Sequence, residues 1–321
     1  MMKRLALRAL QRSGVFAIAR SRSAGMARIL MYHNFTHRND ANTDAVSIDS
    51  ARRQLAYLTR TFQVVSLTHL VEQLQTRNRL DSRMAVLTVD DGRRNFYECF
   101  FPLLQEFQIP ATFFVVSSFI RQEDWIWTDK VLWLAEQGDP VEEVRPDRIE
   151  HFFSKMNRLR PEERNACIDS VAKCMNVSIP REAPSRYAPC SWAELRQMAD
   201  SGLVEIGSHS VNHPIFSSLT DEESWCELTT SRAHIEMGLG RKINSFCFPN
   251  GKPADYFARH LEQVQRAGYS SAVMTHFGMV RQNSDPFSLA RMGVSGSSDF
   301  ISFRKYVDGI EYYQSKLRKR L

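Results

Sequence analysis

The sequence predicts an α/β architecture built on parallel strands, and three observations carry that prediction. Short apolar, β-branched runs alternate with helical patterns along the chain. One run, Val86-Leu87-Thr88-Val89, ends abruptly in two adjacent carboxylates, Asp90 and Asp91, followed by Gly92. Further on, Gly207-Ser208-His209-Ser210-Val211-Asn212-His213-Pro214 sets two imidazoles four residues apart, just after another strand-like run. In parallel barrels the chemistry gathers at the C-terminal ends of strands. Asp90, Asp91, His209 and Asn250 all fall at such ends.

The elements follow in order. Residues 29–33 read as a first strand, 51–61 as a helix, 63–67 and 84–89 as strands, 100–107 as a helix and 111–116 as a strand. Ser191-Trp192-Ala193-Glu194 is a capping-box pattern, opening a helix that should stop at Gly202. Residues 203–206 and 245–248 read as strands, 256–267 as a helix and 271–274 as a strand. Residues 121–190 break this rhythm: they are charged and helix-favouring, begin with Trp125, Trp127 and Trp133, and end in a proline-rich stretch. They read as an insertion packed on the barrel. The expected division is a basic segment 1–28, a barrel 29–300 containing the insertion 121–190, and a C-terminal helix with a basic tail over 301–321.

Composition narrows the classes of function. With 321 residues, 43% of them hydrophobic, the chain can bury a large core. No stretch approaches the ~20 apolar residues of a membrane-spanning helix. The net charge of +6 is a property of the ends: residues 1–28 and 316–321 hold eleven of the 42 basic residues and none of the 36 acidic ones. The body between them is mildly acidic, which argues against nucleic acid as a partner. Arg4, Arg8 and Arg12 would form one cationic stripe on a helix that also carries Leu5, Leu7 and Leu10. Such a helix can lie on an anionic membrane surface; the alternative is a solvated tail. Arg8 interrupts the apolar segment, and the 14–19 run is too short for an export signal. Six scattered cysteines without a Cys-x-x-Cys pair fit free thiols in a reducing compartment. The expected location is cytoplasmic, with peripheral contact at the inner face of the membrane.

One carboxylate with two histidines makes three ligands for a divalent metal and leaves a position open for water. The second carboxylate is then free to act as a base, and the combination points to a metal-dependent hydrolase. With their order and flanks, these motifs resemble the polysaccharide deacetylases, the NodB-homology group also called carbohydrate esterase family 4. The resemblance rests on Thr88-Val89-Asp90-Asp91-Gly92, His209-Ser210-Val211-Asn212-His213 and Phe246-Cys247-Phe248-Pro249-Asn250-Gly251. Flanking matches are Leu30-Met31-Tyr32-His33, Ile109-Pro110-Ala111-Thr112-Phe113-Phe114, Trp127 with Asp129, and Ser191-Trp192 leading into 202–207.

The resemblance implies a distorted (β/α)7 barrel. It implies that Asp91, His209 and His213 hold a divalent metal, usually zinc, that Asp90 is the general base, and that the backbone N–H of Asn250 helps stabilise the oxyanion. Trp127, Pro249 and Arg291 are candidate substrate contacts, Trp127 offering either a face for a pyranose or an anchor for the insertion. Several positions depart from the family pattern. Val89 replaces Phe, Cys247 stands where many members carry Arg, and Asn250 replaces Tyr. No late Leu-x-His motif supplies the general acid; the region reads Leu289-Ala290-Arg291. The acid is then His276 in a loop, His33 at the tip of the first strand, or water. The implied function is removal of an N-acyl group, acetyl foremost, from an amino sugar of a polysaccharide or lipid-linked glycan. Hydrolysis of another C–N bond, a formamide or cyclic amide, is the alternative enzyme. A carbohydrate-binding protein with a decayed site is the alternative outside catalysis. Oligomeric state is not legible.

Overall fold

The computed structural model describes residues 14–37, 45–76, 79–80, 83–138 and 140–318. Its centre is a closed barrel of seven parallel strands: β1 (Arg28–Tyr32), β2 (Met84–Val89), β3 (Ala111–Val115), β4 (Val204–Ser208), β5 (Ser245–Cys247), β6 (Ser271–Phe277) and β7 (Leu289–Gly293). Each strand pairs with the next, and β1 pairs with both β2 and β7, which closes the ring. The short strand Gln63–Val64 adds to β2 outside the ring. This is the distorted (β/α)7 barrel that the motifs implied.

The pleat of each strand sorts its residues between two cores. On β2, Ala85, Leu87 and Val89 face outward and join Leu55, Leu58, Phe100 and Leu104 beneath the surrounding helices. Met84 and Val86 alternate with them and face the interior, with Ile29, Phe114, Cys247, Val273 and Leu289. Continuing that alternation brings Thr88 and then Asp90 onto the inner face at the C-terminal rim. The same period-2 rule carries Cys247 and Arg291 inside. Gly207 on β4 has no room for a side chain, since an added Cβ would lie 2.5 Å from the Phe114 ring.

Helices cover the outside: Ile48–Thr61 capped by Ser47, Trp192–Asp200 opening with the expected Ser191/Glu194 capping box, and Asp221–Leu239 with a Thr220/Glu223 box. Three departures from expectation go beyond shifts of a few residues at element ends. Residues 63–67 are strand only over Gln63–Val64, and Leu67 opens a helix, Leu67–Thr76. Leu67, Leu70 and Val71 recur at helical spacing, and Ser66 Oγ accepts the His69 N–H. Strand β6 runs on to Phe277, so His276 lies in a strand and not in a loop. The C-terminal segment is two helices, Phe300–Val307 and Ile310–Arg318, parted at Gly309 with φ of 92°.

The segment 121–190 folds into helices Trp127–Ala135, Ile149–Met156 and Pro161–Cys174 around Val131, Phe152, Met156 and Ile168. Trp125 joins the two ends of the segment by donating its indole N–H to the Pro180 carbonyl at 3.0 Å, and it packs with Val116 and Phe119 after β3. The Arg4–Arg8–Arg12 stripe lies outside the described residues. Among these, no helix is long and apolar enough to cross a membrane.

Candidate metal centre and active site

The loops after β2, β4 and β5 form the site, and their backbones are held in unusual shapes. Among the described residues eight non-glycine positions have positive φ, and four of them, Asp91, Ser210, His213 and Asn250, lie on these three loops. Such conformations cost about 1–3 kcal/mol each and persist where the surroundings over-determine them. After β2 the chain turns sharply through Asp91 and Gly92, where a Cβ would press on Ile120 at 3.0 Å. After β4 the loop is pinned from two sides. Ser118 donates its amide (3.1 Å) and hydroxyl (2.6 Å) to the Val211 carbonyl. Glu227 accepts the Val211 and Asn212 amides at 2.7 and 3.1 Å.

That pinning brings Asp91, His209 and His213 together, all buried. The Nε2 atoms of His209 and His213 each lie 3.6 Å from the same oxygen, Asp91 Oδ1. Two ligands bound to one zinc at ~2.1 Å in tetrahedral geometry are about 3.4 Å apart, so this spacing fits a shared cation. His209 donates Nδ1–H to the Cys247 carbonyl at 2.7 Å, which leaves the Nε2 lone pair facing Asp91. Burial lowers the pKa of both imidazoles, that of His213 to about 3, so both are neutral at ordinary pH, the form that binds a cation. Burial alone would raise the Asp91 pKa, but Arg93 and the surrounding imidazoles together outweigh it and hold the group ionised. Arg93 binds Asp91 Oδ2, which leaves Oδ1 for the histidine side. It is itself held by Asp129 of the insertion, at 3.0 Å from Nε and 2.5 Å from Nη2. The donor set therefore fits a divalent cation, with a carboxylate–arginine–carboxylate chain behind it.

Asp90 is built differently. It is 1% exposed, and Arg291 grips it in a fork, with both N–H···O distances 2.7 Å. Arg291 is itself fixed through the Met274 carbonyl at 2.8 Å and Thr88 Oγ1 at 3.0 Å. Burial would raise the Asp90 pKa, but the Arg291 guanidinium lowers it below the ordinary value. Asp90, His209 and Cys247 also cluster closely enough to bind a metal. That second set is the poorer one, because burial pushes the Cys247 thiol well up and Arg291 already occupies Asp90.

The other anticipated residues fare unevenly. His33 Nε2 lies 3.8 Å from Asp90 Oδ2 and its side chain is 42% exposed, which puts it at the solvent side of Asp90. The Asn250 carbonyl accepts the Thr275 hydroxyl, while its own N–H has no backbone acceptor among the described residues. Pro249 is buried beneath it. Arg291 is not a substrate contact: it points into the barrel, is fully buried and is spent on Asp90. Trp127 does not offer an open face for a sugar, since it is 3% exposed, with Arg164 over its ring and Phe153 against its edge. Arg93, Glu227 and the roles of Asp129 and Cys247 went unread in the sequence. The one available signal was Arg93 itself, a charge directly after Asp-Asp-Gly.

A closed parallel barrel with an Asp–His–His donor set and a clamped second carboxylate on its C-terminal loops has the layout of a metal-assisted hydrolase. The polysaccharide deacetylase profile matches residues 77–272, well over half of the chain, and the chain belongs to that family. The poly-β-1,6-N-acetyl-D-glucosamine N-deacetylase of Escherichia coli K12 is 36% identical over 169 residues, 52% of this chain and 18% of that protein. This chain thus spans less than a fifth of that relative's length. Among solved structures, the Streptococcus pyogenes deacetylase PplD in complex with acetate superposes with a TM-score of 0.61 at 17% identity, over 88% of this chain and 98% of that one. IcaB from Ammonifex degensii gives 0.60 at 19% identity, over 88% and 97%. Both likenesses are of fold.

Proposed function

We propose that the chain is a metal-dependent N-deacetylase acting on an amino sugar of a polysaccharide or lipid-linked glycan. The observation that carries the reading is the pairing of two neighbouring carboxylates with opposite surroundings. Asp91 faces two neutral imidazoles 3.6 Å from one oxygen, and Asp90 faces a guanidinium fork. Family membership and the partial match to the Escherichia coli enzyme support the substrate class.

Asp91, His209 and His213 would hold the cation, which we take to be zinc. When bound there, it supplies an acidified water and polarises the amide carbonyl. Asp90, kept ionised by Arg291, takes a proton from the attacking water; its Oδ1 keeps a lone pair beyond the one given to Arg291, while Oδ2 also accepts from the Cys247 thiol at 3.5 Å. The Asn250 N–H donates to the carbonyl oxygen as it gains charge. When the C–N bond breaks, the amine nitrogen needs a proton, and His33, at the solvent side of Asp90, supplies it. The products are a free amino sugar and acetate.

Acetate release from N-acetylglucosamine oligomers, abolished by chelation and restored by added zinc, tests the activity. Asp90→Asn should retain the metal and lose about 10²–10⁴-fold in kcat. Near-normal turnover in that variant refutes the base. Peripheral contact of residues 1–28 with an anionic membrane surface at the cytoplasmic face belongs to the same proposal. It rests on the Arg4–Arg8–Arg12 stripe. Flotation of the full chain with anionic vesicles, lost when residues 1–25 are deleted, supports it; equal flotation removes it.

A further inference from the structure

Of the eight non-glycine residues with positive φ among the described residues, four shape the loops of the metal centre. A fifth, Gln122, follows β3 with φ of 59°. It ends the short helix Ser117–Ile120 in the position that glycine ordinarily fills. Its N–H reaches the Phe119 carbonyl, and the Glu123 N–H reaches back to the Ser118 carbonyl, both at 3.0 Å. Gln108 takes the same left-handed shape after helix Phe101–Phe107, and there the side chain is used: its amide donates to the Gln105 carbonyl at 2.6 Å. The Gln122 amide is exposed and has no partner among the described residues. A glutamine held where glycine fits better points to a use beyond the local backbone.

Gln122 lines a cleft of about 260 Å³. Buried Phe119 and Trp125 make its floor, and Arg181 and Glu182 stand exposed with Gln122 around it. Neither of these two charges has a partner among the described residues, whereas Arg94 and Glu194 on the same lining pair with each other at 2.8 Å. The volume lies just below the ~300 Å³ at which drug-sized sites begin, the scale of one sugar residue. An apolar floor with free donors and acceptors in balance, one positive and one negative charge among them, suits a neutral ring rich in hydroxyls. The cleft belongs to the rim that carries the metal centre. One wall is hydrogen-bonded to the turn after Asp91, through the Arg94 N–H to the Ala188 carbonyl at 2.8 Å and the Cys190 N–H to the Gly92 carbonyl at 3.0 Å. Another, the helix Ser117–Ile120, donates the Ser117 and Ser118 amides, each at 3.1 Å, to the Ser210 and Val211 carbonyls of the His213 loop. Arg94 is three residues from Asp91, a reach of at most about 11 Å.

We infer that this cleft, completed by the insertion 121–190, holds a neutral sugar residue of the glycan close to the one that loses its acyl group, with Gln122 as a direct contact. The inference rests on the deacetylase reading and narrows it: the preferred substrate is a chain of several sugars and not a single one.

The test measures kcat and KM on N-acetylglucosamine oligomers of increasing length. In the wild type kcat/KM should rise about 10- to 100-fold from the shortest oligomer turned over to the hexamer, the worth of two or three hydrogen bonds. Gln122→Gly removes the amide and eases the backbone, so the variant should melt no lower than the wild type. Its KM for the hexamer should nevertheless rise about 2- to 10-fold with kcat unchanged, and its kinetics on the shortest oligomer should not move. Replacing Arg181 and Glu182 together by Ala should act the same way, and carries the comparison if Gln122→Gly fails to fold. An active wild type whose kcat/KM does not depend on length, or a hexamer KM unmoved in both variants, overturns the inference. Calorimetric titration of the full chain with the hexamer reads the cleft without turnover. An inactive chain that binds the hexamer about 2- to 10-fold more tightly than Gln122→Gly does refutes the deacetylase reading alone. A chain whose hexamer affinity is the same in both variants refutes the sugar site.

Discussion

Replacing Arg291 by Met removes the guanidinium that the buried Asp90 depends on, while keeping a side chain of similar length in the barrel. Two hydrogen bonds of 2.7 Å disappear from a carboxylate that is 1% exposed. Breaking one partner out of a buried pair costs about 3–5 kcal/mol when the other stays charged. Asp90 can escape that cost by taking up a proton. In the wild type its pKa lies below the ordinary value, so the carboxylate is ionised at neutral and mildly acidic pH and protonates only as the pH falls through its depressed value. In Arg291→Met burial acts unopposed and raises the pKa. At 1.36 kcal/mol per pKa unit, the acid limb of the pH–rate profile should move up by about 2–4 pH units. Activity lost at pH 6 should then return as the pH is raised. Arg291→Lys should shift less, since a lysine keeps the charge and not the fork. The assay is kcat/KM against pH on an N-acetylglucosamine oligomer, with a melting curve at each pH to confirm folding. A folded Arg291→Met chain whose acid limb moves by under about one pH unit refutes the claim that Arg291 keeps the base ionised.

Two further predictions concern groups away from the base. Asp129→Asn removes the anion that holds Arg93 against Asp91 and should weaken zinc binding about 10- to 100-fold, measured by competition with a chromophoric chelator. Unchanged affinity means the carboxylate–arginine chain serves the insertion alone. Burial holds the His260 imidazole at about 4, and its unprotonated Nδ1 accepts the Phe257 N–H at 3.1 Å. The unfolded imidazole protonates first, near ~6.5, so stability should fall as the pH drops from 6.5 towards 4. In His260→Gln the difference between urea midpoints at pH 7 and pH 5 should shrink; an equal difference removes His260 from the acid sensitivity.

The sequence displays what local chemistry writes and hides what distant pairing decides. Asp90, Asp91, His209 and His213 stood out because charges at the tips of apolar strands have few other uses. Most barrel strands were legible from their β-branched runs. Strand β7 was not, because Arg291 sits in its middle, and only the fold shows that this arginine is inside and neutralised by Asp90, 201 positions away. The helix Asp221–Leu239 was missed because Ser224 and Ser231 lie on its buried face and blunt the apolar stripe. Its Thr220/Glu223 capping box was the overlooked signal. Asp129 was noticed as a family flank, yet its grip on Arg93 joins two segments that no local pattern connects. Arg164 gave no sign at all, since an arginine on a charged helix reads as solvated until burial shows otherwise.

The central claim is that Asp91, His209 and His213, and not the neighbouring set of Asp90, His209 and Cys247, hold the cation. Anomalous diffraction from a crystal of the zinc-loaded chain, collected above and below the zinc edge, separates the two because they share only His209. The account predicts one peak within about 2.0–2.2 Å of Asp91 Oδ1 and both imidazole Nε2 atoms, with Asp90 still in the Arg291 fork. A peak on Cys247 Sγ and Asp90 would contradict it, because the base would then be a ligand.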